Sequence, residues 1–574
     1  MARYFDEHIR RRVLSLDGTW SFRTDSEDVG ERERWFAQPL AGESVTVPSV
    51  WNTDLSLLCY EGVAWYQKTV YTEEGALALF FGAVMTYAKV YLDGEYLGDH
   101  YGGFCRFMLL RDRVTEGPHT LTVRVDNRFD GQSIPQTRVD WYHYGGITRS
   151  VEAHALRGIC VLHTRLDYTL CAEERAAQCR MTLELYNAEP TEQTDTVVCR
   201  LDARTVAELS VTLAAHGHTT VVSEPFTLRE LRLWSPDTPA LYTLCAETKT
   251  DDLYDRVGFR SVEIRDGRLL LNGNDVELYG ANRHEDHPDF GMAFPPALMK
   301  RDIDIAKNMG CNALRGSHYP NHPIFLDMLD ERGLLFWSEI PIWGGGFSAE
   351  ALADEVVVAR GLAMHREMVR EYYHHPSILL WGMHNEILAN TAEGRAMTEQ
   401  YYRYLKTHGG NRLVTYATDC PFEDVCLDLC DVICINRYHG WYLGEIEAWD
   451  DFLRAFAERK VALGLADKPV VMSEFGAGAI YGHHSFDNVR WTEEYQARLL
   501  DFCIRRFFER PDYVGTFVWQ LTDIRTSPDM GLNRARGFNN KGVLNEYRKP
   551  KLAYHAVKAA YEEQKKAHAS RFGK

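Results

Sequence analysis

ILLWGMHNE, residues 378–386, is an apolar run that ends abruptly in His384-Asn385-Glu386. It is long enough for a strand and too short for a helix, and its unbroken apolar character fits a strand covered on both faces, as in parallel sheets. The same pattern recurs on either side of it. ELYGAN (277–282), NALRGSH (312–318) and LLFWSEI (334–340) precede it; LVTYAT (413–418), VICINRY (432–438), PVVMSEF (469–475) and VGTFVWQ (514–520) follow. Helix-patterned stretches such as PALMKRDIDIAKNMG (296–310) and TEEYQARLLDFCIRRFFER (492–510) lie between them. Eight strand-then-helix units over roughly 300 residues predict a (β/α)8 TIM barrel, assigned to residues 259–574. An open doubly wound sheet would want a Gly-rich phosphate turn after its first strand, and YGANRHEDHP (279–288) is not one.

Upstream the rhythm is all-β. Residues 1–160 carry short alternating runs such as AKVYLDGEYLG (88–98) and HTLTVRVDNR (119–128), with Asp93-Gly94 as a hairpin-type turn. Residues 161–258 continue with CRMTLELYNA (179–188), VTLAAHGHTTVVSEPFTL (211–228) and ALYTLCAETKT (240–250), the size of one β-sandwich. The chain is thus multidomain, with two β modules ahead of a barrel.

Charge narrows the function. With 64 Lys+Arg against 82 Asp+Glu, the net charge of −18 argues against a nucleic-acid partner, and any anionic ligand must be caught by local cations. No run is long and apolar enough for a membrane span, and MARYFDEHIRRRVLSLDG lacks the apolar core of a secretory signal. Thirteen cysteines without framework spacing suit a reducing compartment, so a cytoplasmic location is expected. Cys426, Cys430 and Cys434 read as one helical face running into a strand rather than a metal site, and RHEDH (283–287) is not an HExxH motif. No metal and no cofactor is expected; no phosphate-cradling Gly motif supports a flavin.

Active sites of such barrels lie at the C-terminal strand ends. Here those ends carry His284-Glu285, His318-Tyr319, Glu339, Asn385-Glu386, Asp419, Asn436 to Tyr438, Glu474 and Trp519-Gln520. One polar strand end is commonplace; so many on one rim describe a pocket. Glu386 and Glu474 end the fourth and seventh strands, where burial and mutual repulsion would raise one pKa and leave the other group ionised. Glycoside hydrolysis needs such a pair. Glu339 reads as a supporting residue, and His284 and His318 as hydrogen-bonding partners of sugar hydroxyls.

Several segments resemble glycoside hydrolase family 2, and within it the β-glucuronidases, over essentially the whole chain. LDGTWSF (16–22), VPSVWN (47–52), YLDGEYLGDHYGGF (91–104) and YGGITRSV (144–151) resemble the family's sugar-binding jelly-roll β-sandwich. LWSPDTPALYTL (233–244) resembles the close of its immunoglobulin-like β-sandwich, and VGFRSVEI (257–264) with LNGNDVELYGANRHED (271–286) its entry into the barrel. WGMHNE (381–386) matches the acid/base motif, and VVMSEFGA (470–477) the nucleophile motif. The resemblance implies a retaining double displacement with Glu386 as acid/base, Glu474 as nucleophile and Asn385 beside the sugar. FNNKG (538–542) matches the Asn-x-Lys element of β-glucuronidases, implying that Asn539 and Lys541 hold the substrate carboxylate, as an amide and an ammonium can. NRYHGWY (436–442) implies Asn436, Tyr438 and Tyr442 near the sugar, with His318 and Asp140 on hydroxyls and Trp519 as an apolar floor. An assisting arginine is expected at Arg536 in preference to Arg534. Expected substrates are small-molecule glucuronide conjugates or glucuronic-acid-terminated oligosaccharides. The alternatives are a β-galactosidase or β-galacturonidase on the same scaffold and, from another class, a catalytically idle carbohydrate-binding protein. A homo-oligomer, dimer or tetramer, is also implied.

Overall fold

The computed structural model describes residues 3–171, 173–344, 347–527 and 534–572. Between Arg12 and Leu156, a six-stranded and a four-stranded antiparallel sheet pack face to face. Trp20, Phe22, Tyr66 and Val123 meet Leu77, Leu79, Phe81 and Val151 in the layer between them. The alternation seen in HTLTVRVDNR is the reason: every second side chain of the strand Gly117–Asp126 points into that layer. A second sandwich of two four-stranded sheets begins with the strand Ile159–Cys171 and ends with Asp252–Val257.

The third unit is a closed parallel barrel. Its strands are β1 (Leu278–Arg283), β2 (Ala313–Gly316), β3 (Leu335–Glu339), β4 (Ile378–Asn385), β5 (Leu413–Thr418), β6 (Ile433–Asn436), β7 (Val470–Phe475) and β8 (Tyr513–Val518). Helices α1 (Pro296–Asn308), α2 (Pro323–Arg332), α3 (Ala349–Ala353), α4 (Glu355–Tyr372), α5 (Ala392–His408), α6 (Ala448–Ala462), α7 (Glu493–Phe508) and α8 (Leu552–Phe572) surround it. One expected helix is missing: residues 419–432, between β5 and β6, form turns. The Asp424 carboxylate takes the Cys426 N–H at 2.6 Å, a side-chain turn in place of helical pairing. Cys426 and Cys430 are therefore buried thiols of a coil rather than one face of a helix.

The barrel interior is layered. Leu278, Ala313, Leu335, Trp337, Leu380, Ala417, Cys434, Val471 and Phe517 fill its lower part. Each such large side chain, fully buried, contributes roughly 1.5–3 kcal/mol. Toward the C-terminal ends the same inward stripes continue as Asn282, Arg315, Glu339, Asn385, Asn436 and Glu474, all buried. The register slips between Gly382 and Asn385, between Ile435 and Asn436, and between Met472 and Phe475. Such irregularities re-aim the next side chain, and each sits beside a polar group of the upper layer. Among the described residues, no helix is long and apolar enough to cross a membrane.

Candidate active site

Arg315, from the middle of β2, organises the upper layer. It is fully buried, and its guanidinium lies against the Trp337 ring, 4.5 Å from the centroid. Its Nε and Nη2 donate to the two oxygens of Glu339 at 3.0 and 2.9 Å. Nη1 donates to Glu474 Oε1 at 2.7 Å and to Asn282 Oδ1 at 3.1 Å, and Nη2 to Asn385 Oδ1 at 2.6 Å. Burial opposes its charge, but Glu339 and Glu474 outweigh burial and raise its pKa further. Burial likewise opposes the Glu339 charge, and Arg315 with His318 holds that carboxyl below its usual range. Glu339 is thus spent on positioning: it anchors Arg315 and takes His318 Nδ1 at 2.8 Å.

Glu474 has a donor on each oxygen, Arg315 on Oε1 and the Tyr438 hydroxyl on Oε2 at 2.7 Å. Both oxygens therefore act as acceptors. Glu386 is surrounded differently. Its Oε1 accepts from Asn436 Nδ2 at 2.7 Å, and Asn436 also donates to Asn385 Oδ1 at 3.0 Å. Burial first, then the charges of Glu474 and Asp419, push the Glu386 carboxyl well above the usual range, against the pull of Asn436 and Arg315. The two carboxyls thus have unlike surroundings, as a pair that divides acid and acceptor roles at a glycosidic bond would need. Glu386 also takes a left-handed backbone conformation, φ 51°. Its carbonyl approaches Gly344 so closely that a Cβ there would lie 1.3 Å from that oxygen. The lack of a side chain at Gly344 therefore makes room for the Glu386 backbone.

At the other side of the pocket stands Lys541, only 3% exposed. Its Nζ meets Asn539 Oδ1 at 3.4 Å and lies 4.9 and 5.8 Å from the Tyr442 and Tyr438 ring centroids, with no carboxylate within ion-pair distance among the described residues. Asn539 Nδ2 donates to Asp140 Oδ2 at 2.8 Å, so the N-terminal domain reaches this corner. The arginine here is Arg534, not Arg536. Arg534 Nε donates to Asp140 Oδ1 at 2.8 Å and its Nη2 to the Tyr442 hydroxyl at 3.4 Å. Arg536 has φ 61°, which turns its side chain outward to Glu546 at 3.0 Å. His318 stacks on Trp519, ring centroids 5.2 Å apart, and Trp141 of the N-terminal domain packs against His318 at 5.4 Å.

Residues 262–566, more than half the chain, match "Glycosyl hydrolases family 2, TIM barrel domain". The chain belongs to glycosyl hydrolase family 2. Residues 13–156 match the family's sugar binding domain, and residues 161–260 match the model described as "Glycosyl hydrolases family 2". The "Beta-glucuronidase" of Paenibacillus borealis is 27% identical, covering 97% of this chain and 98% of that one; the human "Beta-glucuronidase" is 26% identical, covering 97% and 92%. Among solved structures, a β-galacturonidase from Eisenbergiella tayi bound to galacturonate superposes with a TM-score of 0.91 at 31% identity, covering 98% of this chain and 99% of that one. The β-glucuronidase of Ruminococcus gnavus superposes with a TM-score of 0.86 at 26% identity, covering 98% and 99%.

In this glycoside hydrolase the barrel rim gathers Glu386, Glu474, Asn385, Asn436, Tyr438, His318 and Trp519, as the strand ends suggest. Not every polar strand end joins them. Glu285 accepts from Arg149 at 3.2 Å and from the His322 N–H at 2.9 Å. Asp286 accepts from the Tyr144 hydroxyl at 2.6 Å, so both acids seat the N-terminal domain on the barrel. Burial, with His318, Arg315 and Arg283 nearby, pushes His284 well below its usual range, and it is a neutral ring in the aromatic wall. Sequence reading missed Arg315, Asn282 and Trp141; a lone Arg inside the apolar run NALRG is the one signal that could have flagged the first. Among the described residues, Asp327, Asp330 and His375 lie close enough together to hold a metal ion. Asp327 is already paired with Arg3 and Asp330 with His375, so the cluster is a compensated ionic network away from the rim.

Proposed function

We propose that this family 2 enzyme hydrolyses β-D-glucuronides with retention of configuration. Glu474 attacks the anomeric carbon while Glu386 gives its proton to the leaving oxygen; Glu386, now ionised, then takes a proton from the water that releases the sugar. The observation that carries the sugar class is Lys541. A buried ammonium with no carboxylate within ion-pair distance among the described residues is costly, and a uronic-acid C6 carboxylate would supply a partner, with Asn539 beside it. Asn385 adds a donor for the sugar: its oxygen is taken by Arg315 and Asn436, while its buried Nδ2 has no partner. The relatives named β-glucuronidase support the same reading.

The β-galacturonidase superposition favours a second reading on the same carboxylate logic, with galacturonides as substrates. The two sugars differ only in the C4 hydroxyl. The deciding experiment compares aryl β-D-glucuronide, β-D-galacturonide, β-D-glucoside and β-D-galactoside, and follows the first-formed product anomer by NMR. A preference for uronides above about a hundredfold, with β-product first, is expected. Equal turnover of the neutral hexosides, or an α-product, sinks the proposal.

A further inference from the structure

The leaving group of a glycoside departs next to the acid that protonates it. Residues that would surround the sugar end of the substrate collect beyond β6 and β8, as Tyr438, Tyr442, Arg534, Asn539 and Lys541. On the Glu386 side, beyond β4 and β5, the rim has a different character. Leu388 and Val425 are exposed there, joined through the Val425 N–H to the Ala389 carbonyl. Asp419 lies on the same side of the rim, one residue past β5. Its place follows from the backbone: the Glu386 N–H donates to the Ala417 carbonyl at 2.8 Å, two residues before Asp419. Asp419 is exposed, and no cation lies within ion-pair distance of its carboxylate among the described residues. The neighbouring Arg437 gives its Nη1 to the Asp419 backbone carbonyl at 3.2 Å instead. After burial and Glu474, Asp419 is the next contributor to the raised pKa of Glu386, which agrees with a place beside the acid.

We propose that Asp419 sets leaving-group selectivity: its carboxylate, without an ion-pair partner among the described residues and at the exit beside the acid/base, favours cationic leaving groups and disfavours anionic ones. An open charge near a bound ligand acts chiefly through sign and decays with salt. The inference rests on the reading of Glu386 as the acid/base. It does not depend on which uronide is preferred, since every comparison is made within one sugar.

The test uses three aryl uronides of one sugar, with 4-nitrophenyl, 4-trimethylammoniophenyl and 4-carboxyphenyl leaving groups. The readout is the variant-to-wild-type ratio of kcat/KM for each, so intrinsic leaving ability cancels, as does any shift of the Glu386 proton that Asp419→Asn causes equally for all three. With Asp419→Asn, the cationic-to-anionic preference should fall by roughly three- to tenfold at low ionic strength, and Asp419→Lys should lower it further. The difference should shrink in about 0.5 M salt, where the screening length drops to a few ångströms. A loss equal for all three substrates, or a ratio unmoved by either variant, overturns the proposal. Glu386→Gln is measured alongside on an alkyl uronide. Undiminished turnover there overturns the acid/base reading and the proposal with it, whereas loss there with an unmoved Asp419 ratio overturns the proposal alone.

Discussion

Replacing Lys541 by Met separates a carboxylate-binding role from a structural one, because the two roles predict opposite changes in stability and different losses on a neutral sugar. In the free enzyme Lys541 is 3% exposed, and its nearest polar contact is the neutral Asn539 at 3.4 Å. Met of similar length removes a poorly compensated buried charge, so stability should hold or rise by about 1 kcal/mol. With substrate bound, the same change would delete a buried charge-assisted contact to the C6 carboxylate, worth about 2–4 kcal/mol. That corresponds to a loss of roughly 30- to 900-fold in kcat/KM on uronides. A neutral hexoside has no carboxylate to lose, and its kcat/KM should change by less than about threefold. The assays are steady-state kinetics on a matched uronide and hexoside, and a thermal melt of each protein without ligand. A lower melting temperature together with equal losses on both sugars would refute the reasoning, since Lys541 would then be holding the loop and not the substrate.

Glu386→Gln should cost about 10²–10⁴-fold on alkyl uronides and far less on nitrophenyl ones, whose leaving group needs little protonation; the wild-type alkaline limb should disappear with it. Because the folded Glu386 carboxyl titrates above its unfolded value, the folded state holds the extra proton. Its stabilising contribution is full below the ordinary carboxyl pKa and is lost as pH rises through the raised one. The melting temperature of Glu386→Gln relative to wild type should therefore climb with pH over that window. Arg536→Ala should leave uronide kcat/KM within about threefold, whereas Arg534→Ala should lower it at least about tenfold; the reverse order would restore the outward-facing residue to the site. Gly344→Ala should reduce kcat by at least about a hundredfold, since the new Cβ would have to push the Glu386 carbonyl from 1.3 Å to a normal contact and would misplace the acid. Near-normal turnover of that variant would show that the loop, not the acid, gives way.

Much of the site is readable from sequence because barrel strands here are unbroken apolar runs, and their polar ends stand out against them. Glu386 and Glu474 are legible for that reason. Arg315 is not, because a guanidinium inside NALRG looks like a strand interruption until the acids that receive it, from β3 and β7, are brought within 3 Å. Arg534 and Arg536 illustrate a second limit. They are two residues apart in one stretch, and only the partners found in the fold, Asp140 for Arg534 and Glu546 for Arg536, tell them apart. The turns between β5 and β6 show a third, where the Asp424 side chain bonds the backbone of a segment that the alternation of elements elsewhere predicts to be helical.

Asp140 and Trp141 reach the pocket from the first β-sandwich, while Arg149 and Tyr144 of the same sandwich are clamped to Glu285 and Asp286 of the barrel. The candidate pocket is consequently a seam between modules. Turnover in this protein reports on the docking of two independently cored domains. Heat, mild denaturant or a distant substitution that loosens that joint should silence the enzyme while the barrel itself is still folded, and an excised barrel would keep both glutamates and yet lack a wall of its own pocket.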